Sequence, residues 1–180
     1  MTNKPGLFPD RVTYPFKKPY VDSSVFVAHI KGEINPAAKN MTRVQITTGV
    51  MGDAEDGKFS LITSSSTLAE VRRIKDRTEQ LTPDEVIKIK EFFGRFLQHE
   101  WIFLADVTRQ IGELAQDYGR LWDIAPIDSI HLATAVTLKC DVMLVWDKKF
   151  TRALPGDVID GVHVMEPFWE GLELMPSAGT

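Results

Sequence analysis

Four carboxylates in this chain are placed where they could do chemistry together: Asp22, Glu70, Asp128 and Asp147. Asp22 closes the short apolar run Pro19-Tyr20-Val21, and Asp147 follows Asp141-Val142-Met143-Leu144-Val145-Trp146; both runs read as strands. Glu70 and Asp128 each fall near the start of an expected helix that follows a loop. In an open parallel sheet, ligands bind beyond the carboxyl ends of the strands, so acids far apart in sequence can meet on that edge. Carboxylates gathered this way repel one another and stay ionised together only around a cation. Oxygen-only donors select Mg²⁺ or Mn²⁺ over zinc. Such an ion lowers the pKa of water and clamps a phosphodiester. Singly, each acid has a plainer use, since an Asp after a strand caps helices and an acid in a first turn suits the helix dipole. The joint pattern is what points to a metal-assisted hydrolase.

Other chemistries find little support. There is no P-loop, no GxGxxG, no GxSxG and no HExxH. His29, His99, His131 and His163 stand in no ligand spacing, and His131, on the side of a helix, reads as structural. Cys140 is the only cysteine, which rules out an internal disulfide and reads as inert core. Transfer through an aspartyl nucleophile would suit Asp22, but that chemistry wants a second acid two residues on, where Ser24 stands. Ser24 itself reads equally as a hydrogen-bonding group of the site or as a helix cap. Trp146 could stack a base or only pack. Arg72, Arg73, Lys75 and Arg77, with Lys148, Lys149 and Arg152, follow acidic segments and could hold a nucleic-acid backbone.

The elements that must position these acids alternate. Residues up to Lys18 form an irregular arm in which Arg11 to Tyr14 alone is strand-like. A strand ending at Asp22 leads into a helix from about Val25 to Ile30, capped by Ser23 or Ser24 and broken at Lys31 to Asn35. Pro36 opens a second helix to about Val50. Strands are expected at Phe59 to Thr63, Trp101 to Leu104, Asp141 to Trp146 and Gly161 to Met165. Between them come helices marked by Leu68, Val71 and Ile74; by Thr82-Pro83-Asp84-Glu85 with Val86, Ile89, Phe93 and Phe96 inward; and by Asp106 as a cap with Val107, Ile111, Leu114 and Tyr118. Pro126 to Lys139 and Lys148 to Ala153 complete the helices. Strands alternating with helices, without hairpin signals, give an α/β class: a three-layer α/β/α sandwich with a mainly parallel central sheet. The expected division is an arm at 1–17, one domain at 18–165 and an exposed tail at 166–180.

Composition sets the limits. The chain has 180 residues, enough for one domain with its own core. A formal net charge of −4 excludes a broadly basic nucleic-acid surface, so any such binding must come from a local patch or a metal. With no signal-like apolar stretch at the start and no membrane-length apolar run, a cytoplasmic location is expected.

Tyr20-Val21-Asp22-Ser23-Ser24-Val25 resembles the opening strand and first acid of the PIN-domain family. Ser66-Thr67-Leu68-Ala69-Glu70-Val71 resembles its second acid, and Leu144-Val145-Trp146-Asp147-Lys148-Lys149-Phe150 its fourth. The segment running from Pro126-Ile127-Asp128 through Ala135 resembles the third and is the most specific. The resemblance covers roughly residues 18 to 165. It implies a metal-dependent ribonuclease that binds Mg²⁺ or Mn²⁺ through Asp22, Glu70, Asp128 and Asp147 and leaves a 5′-phosphate. Asp22 and Asp128 would be the central ligands, Asp147 would complete the site, and Glu70 would orient water or a second metal. It further implies RNA as substrate, an antitoxin as partner in the manner of VapC-like toxins, and a homodimer. Val145, where the family often has Thr or Ser, and Lys149, where a further acid is common, depart from the pattern. An inactive PIN-like scaffold that serves as a protein-interaction module is the alternative.

Overall fold

In the computed structural model, residues 17–34, 41–71 and 83–169 are described. The chain runs β1 (Pro19–Val21), α1 (Ser23–Ile34), α2 (Met41–Glu55), β2 (Leu61–Ser64), α3 (Thr67–Val71), α4 (Pro83–Phe96) and β3 (Ile102–Ala105). It continues through α5 (Arg109–Trp122), α6 (Pro126–Thr137), β4 (Val142–Leu144), α7 (Lys148–Ala153), β5 (Val158–Ile159) and β6 (Val162–Met165). The strands form one sheet in the order β3-β2-β1-β4-β6-β5. All pairs are parallel except β5 with β6.

Side chains of successive strand residues point to opposite faces, and here that alternation sorts two cores. Val21, Leu61, Ile102, Val142 and Leu144 face a layer built from α1, α2 and α4, with Phe26, Phe93 and Phe96 at its centre. Tyr20, Ile62, Met143, Val145 and Val164 face α5 and α6, where Ile111, Tyr118, Leu132 and Ala135 are buried. The strand order reverses direction at β1: the chain builds β2 and β3 to one side, then returns to place β4 on the other. A crevice forms at such a switch point, beyond the strands' carboxyl ends. Asp22 and Asp147 leave the sheet there.

Several elements differ from the expectation. The α1 helix passes through Lys31 and Gly32 to Ile34 instead of breaking. One interior glycine costs about 1 kcal/mol, less than the burial of Val25, Phe26 and Ile30 returns on the same helix. The α2 helix runs to Glu55, past Val50, and its expected start at Pro36 lies outside the described residues. So do the strand-like Arg11 to Tyr14, Ile74 and Thr82. The cap of α5 is Thr108, whose hydroxyl accepts the Ile111 amide; Asp106 is left in the loop because β3 extends to Ala105. A hairpin is present after all. The strands β5 and β6 are joined by Asp160 and Gly161, both with positive φ (47° and 89°), as the tight hairpin turn requires.

Past Met165 the chain keeps packing. Trp169 is buried on the α2 side of the sheet, and its Nε1–H donates to Asp53 Oδ2 at 3.1 Å. A Cβ at position 49 would lie 2.1 Å from the Trp169 ring, so only glycine admits that indole against α2. Among the described residues, no helix is long and apolar enough to cross a membrane.

Candidate active site

Asp22 follows β1 directly, tied by its amide to the Leu144 carbonyl at 3.0 Å. Its carboxylate is 5% exposed; Oδ2 accepts the Ser24 amide at 2.8 Å, which leaves Oδ1 toward His131 Nε2 at 4.0 Å. Asp22 therefore does the capping expected of Ser23 or Ser24. The Ser24 hydroxyl instead accepts the Trp146 amide at 3.0 Å and so pins the end of β4 to the start of α1. Asp147 is the N-cap of α7: Oδ1 accepts the amides of Lys149 at 2.7 Å and Phe150 at 3.2 Å. The plain role of this Asp as a cap is thus realised, with Oδ2 left over. Glu70, in the only described turns of α3, is held through Oε2 by His131 Nε2 at 2.5 Å. Each of these three acids commits one oxygen to holding its own position.

Asp128 is different. It lies in the first turn of α6, whose start is set by Pro126. Among the described residues, no hydrogen bond reaches its carboxylate. Burial, then the charges of Asp22, Asp147 and Glu70, push its carboxyl up to about 6, against a smaller opposing effect of His131. The other three acids thus all lie close enough to act on Asp128. Burial also raises Asp22, with the charge of His131 and the Ser24 hydrogen bonds pulling back and Glu70 adding to the rise.

Sequence reasoning missed His131, which is fully buried yet belongs to this cluster. Nδ1 meets the Tyr20 hydroxyl at 2.6 Å, and Tyr20 Oη accepts the Ser64 amide at 3.1 Å. Burial works against a charge on the ring, but the hydrogen bond it makes to Glu70 and the charges of Asp22, Glu70 and Asp128 outweigh it and raise its pKa. The signal available in sequence was weak: one polar residue among several on α6, three positions after Asp128.

The remaining candidates divide. Trp146 is buried in the α1/α2 core with the Arg43 guanidinium 4.7 Å above its ring, so it packs and does not offer a face for a base. Val145 is core, and Cys140 is buried with its thiol pushed up to about 12, chiefly by that burial. Lys148, Lys149 and Arg152 are exposed on α7, next to Asp147. Arg72, Arg73, Lys75 and Arg77 lie outside the described residues.

Among the described residues, no three His, Cys, Asp or Glu side chains are grouped closely enough to hold an ion by themselves. Mg²⁺ commonly takes only one or two carboxylates and keeps several waters, and a positive charge is what the crowded Asp128 carboxyl lacks. The donor set therefore fits a hard divalent cation held partly through water.

The sequence matches the family model described as PIN domain over residues 20–153. No curated protein matches it by sequence. In fold, the chain is similar to Mycobacterium tuberculosis VapC20, described as a Sarcin-Ricin loop cleaving toxin. The identity is 14% and the TM-score 0.53, with 75% of this chain and 94% of that one covered. A toxin–antitoxin complex from Klebsiella pneumoniae matches at 13% identity and TM-score 0.54, covering 84% and 98%. VapBC2 from Rickettsia felis, bound to a DNA fragment from its promoter, matches at 13% and 0.53, covering 83% and 98%. At these identities the likeness is one of fold.

Proposed function

Because the chain belongs to the PIN-domain family, we propose that it is an Mg²⁺- or Mn²⁺-dependent endoribonuclease and the toxin of a toxin–antitoxin pair. The observation that supports the reading is that the charges of Asp22, Asp147 and Glu70 raise the pKa of Asp128, at the edge of the sheet where the strand order turns back at β1. Asp22 Oδ1, the Asp128 carboxylate, the uncommitted oxygen of Asp147 and, directly or through water, the Glu70 oxygen that His131 leaves open are the groups that would hold the ion. Bound there, the ion supplies positive charge toward a phosphodiester and lowers the pKa of water. Glu70 orients the attacking water and takes its proton. Lys148, Lys149 and Arg152 meet the RNA backbone beside the cleft.

The test is purified protein with mixed RNAs in Mn²⁺, Mg²⁺ or EDTA. Cleavage should need the metal, and D22N should lose more than about 100-fold in rate, beyond the usual cost of disturbing a group outside the ligand set. Robust cleavage in EDTA would sink the mechanism. A second reading, a PIN scaffold that only binds a partner, draws support from the absence of a close three-ligand group among the described residues. Folded wild type that cuts nothing in Mn²⁺ favours that scaffold.

The partner follows from the same cleft. An acidic site is most simply silenced by a small antitoxin that inserts an Arg or Lys among the four carboxylates. The structures similar in fold include toxin–antitoxin complexes. A second copy of the chain, in a homodimer, would complete the assembly. Expression without the neighbouring gene should arrest growth, and neither D22N nor co-expression of that gene should allow arrest. Unimpaired growth with well-folded wild-type protein counts against a toxin.

A further inference from the structure

A buried relay of three side chains ends on Glu70. Tyr20 comes from β1 and His131 from α6, and both are fully buried. Tyr20 Oη accepts the Ser64 amide at 3.1 Å and shares a hydrogen bond with His131 Nδ1 at 2.6 Å. An imidazole whose Nδ1 accepts carries its hydrogen on Nε2; an imidazolium carries one there too. In either state Nε2–H donates to Glu70 Oε2, at 2.5 Å. Glu70 lies on α3, described over Thr67–Val71, and remains partly exposed, with its side chain at 24%. A long, flexible carboxylate has many rotamers to choose from. The imidazole removes that choice.

We propose that His131, braced from behind by Tyr20, is the positioning residue that fixes Glu70, committing Oε2 and leaving the other oxygen for the water or ion of the cleft. This rests on the metal-dependent reading above. The bland account is that His131 is a satisfied core histidine whose loss would harm only packing. The two accounts differ in what a replacement must supply. If positioning matters, a donor at the Nε2 position is needed. If only packing matters, any side chain of similar shape will do.

Glutamine and methionine make the comparison, being alike in shape while only Gln donates. Mn²⁺ affinity of the full chain is read by calorimetry, and cleavage by single turnover. H131M should weaken Mn²⁺ binding about 10- to 100-fold, the range for groups that orient ligands, while H131Q stays near wild type. In an E70Q background, H131M should add no further loss, because the residue it acts through is already gone. In the apo protein, long-range ¹H–¹⁵N spectra of the ring should show Nε2 protonated, with that resonance moving in E70Q. Should H131M fail to fold, Y20F deletes one hydroxyl and must also weaken Mn²⁺ binding. A folded H131M or Y20F that binds Mn²⁺ and cleaves as wild type overturns the role, as does a ring spectrum indifferent to E70Q. Wild type that binds no Mn²⁺ removes the proposed function and this role together. Wild-type binding beside an indifferent H131M removes this role alone.

Discussion

The two faces of the sheet do different work. On the α1/α2/α4 face the centre is aromatic: Phe26 packs edge-on against Phe93 and Phe96 at centroid distances of 6.1 and 5.9 Å. On the α5/α6 face the core helix α6 is apolar and alanine-rich, yet buries Ser129, His131 and Thr134. Ser129 and Thr134 return their hydroxyls to carbonyls one turn back, at Ala125 and Ile130. His131 alone reaches out of the helix, to β1 and α3. Both faces bury polar groups, His29, Thr47 and Asp53 on the first, but among the described residues only on the second does one of them, His131, reach an acid of the candidate site. A buried polar group without a partner is costly, and each of these three on α6 finds one.

Breaking the first face should hurt most. Phe26→Ala removes a fully buried ring and is expected to lower stability by about 3–5 kcal/mol, as large aromatic deletions do. Cleavage per folded molecule should be nearly unchanged. Urea unfolding followed by activity at low denaturant checks both halves, and a stability loss below about 1 kcal/mol would mean that this core relaxes far more than usual.

The second face should respond to pH, and in a smaller way. The folded-state pKa of Asp128, about 6, lies above the ordinary 3.8. The folded protein thus holds this proton more tightly than the unfolded chain. Its contribution is most favourable below pH 4, declines as pH rises between about 4 and 6, and is flat above. D128N removes the titrating group. Without metal, the variant should match wild type at pH 4 and melt higher at pH 7, while its cleavage is lost. Thermal melts in EDTA at both pH values decide it. Equal pH slopes for the two proteins would show that the carboxylates do not crowd Asp128 in solution.

Much of the second face could be read from sequence because its signals are local. Pro126 sets the start of α6, Asp128 falls in its first turn, and the apolar run to Trp146 ends where Asp147 caps the next helix. The strand alternation that sorts Tyr20 from Val21 and Met143 from Leu144 follows from position alone. The misses are of another kind. His131 acquires its role from Tyr20 and Glu70, which lie 111 and 61 positions away, and no spacing rule spans that distance. The β5–β6 hairpin escaped because β5 has only two residues, too few to alternate. Thr108 and Asp106 are both good caps, and the extra strand residue Ala105 decided between them. Trp169 looked like part of a tail because the glycine that receives it is in α2, at position 49.

The switch between β1 and β4 also works as a caliper. Val21 lies opposite Leu144 in a parallel pair, and adjacent strands are about 4.8 Å apart whatever the side chains. Asp22 leaves directly from one strand and Asp147 follows the other, so the gauge of this half of the cleft is set by backbone hydrogen bonds. Glu70 and Asp128 ride on helices, whose seating depends on side-chain packing and can drift by fractions of an ångström with any core substitution. Fine adjustment of the cleft, by mutation or by a bound partner, therefore acts through the helical pair against a fixed jaw supplied by the sheet.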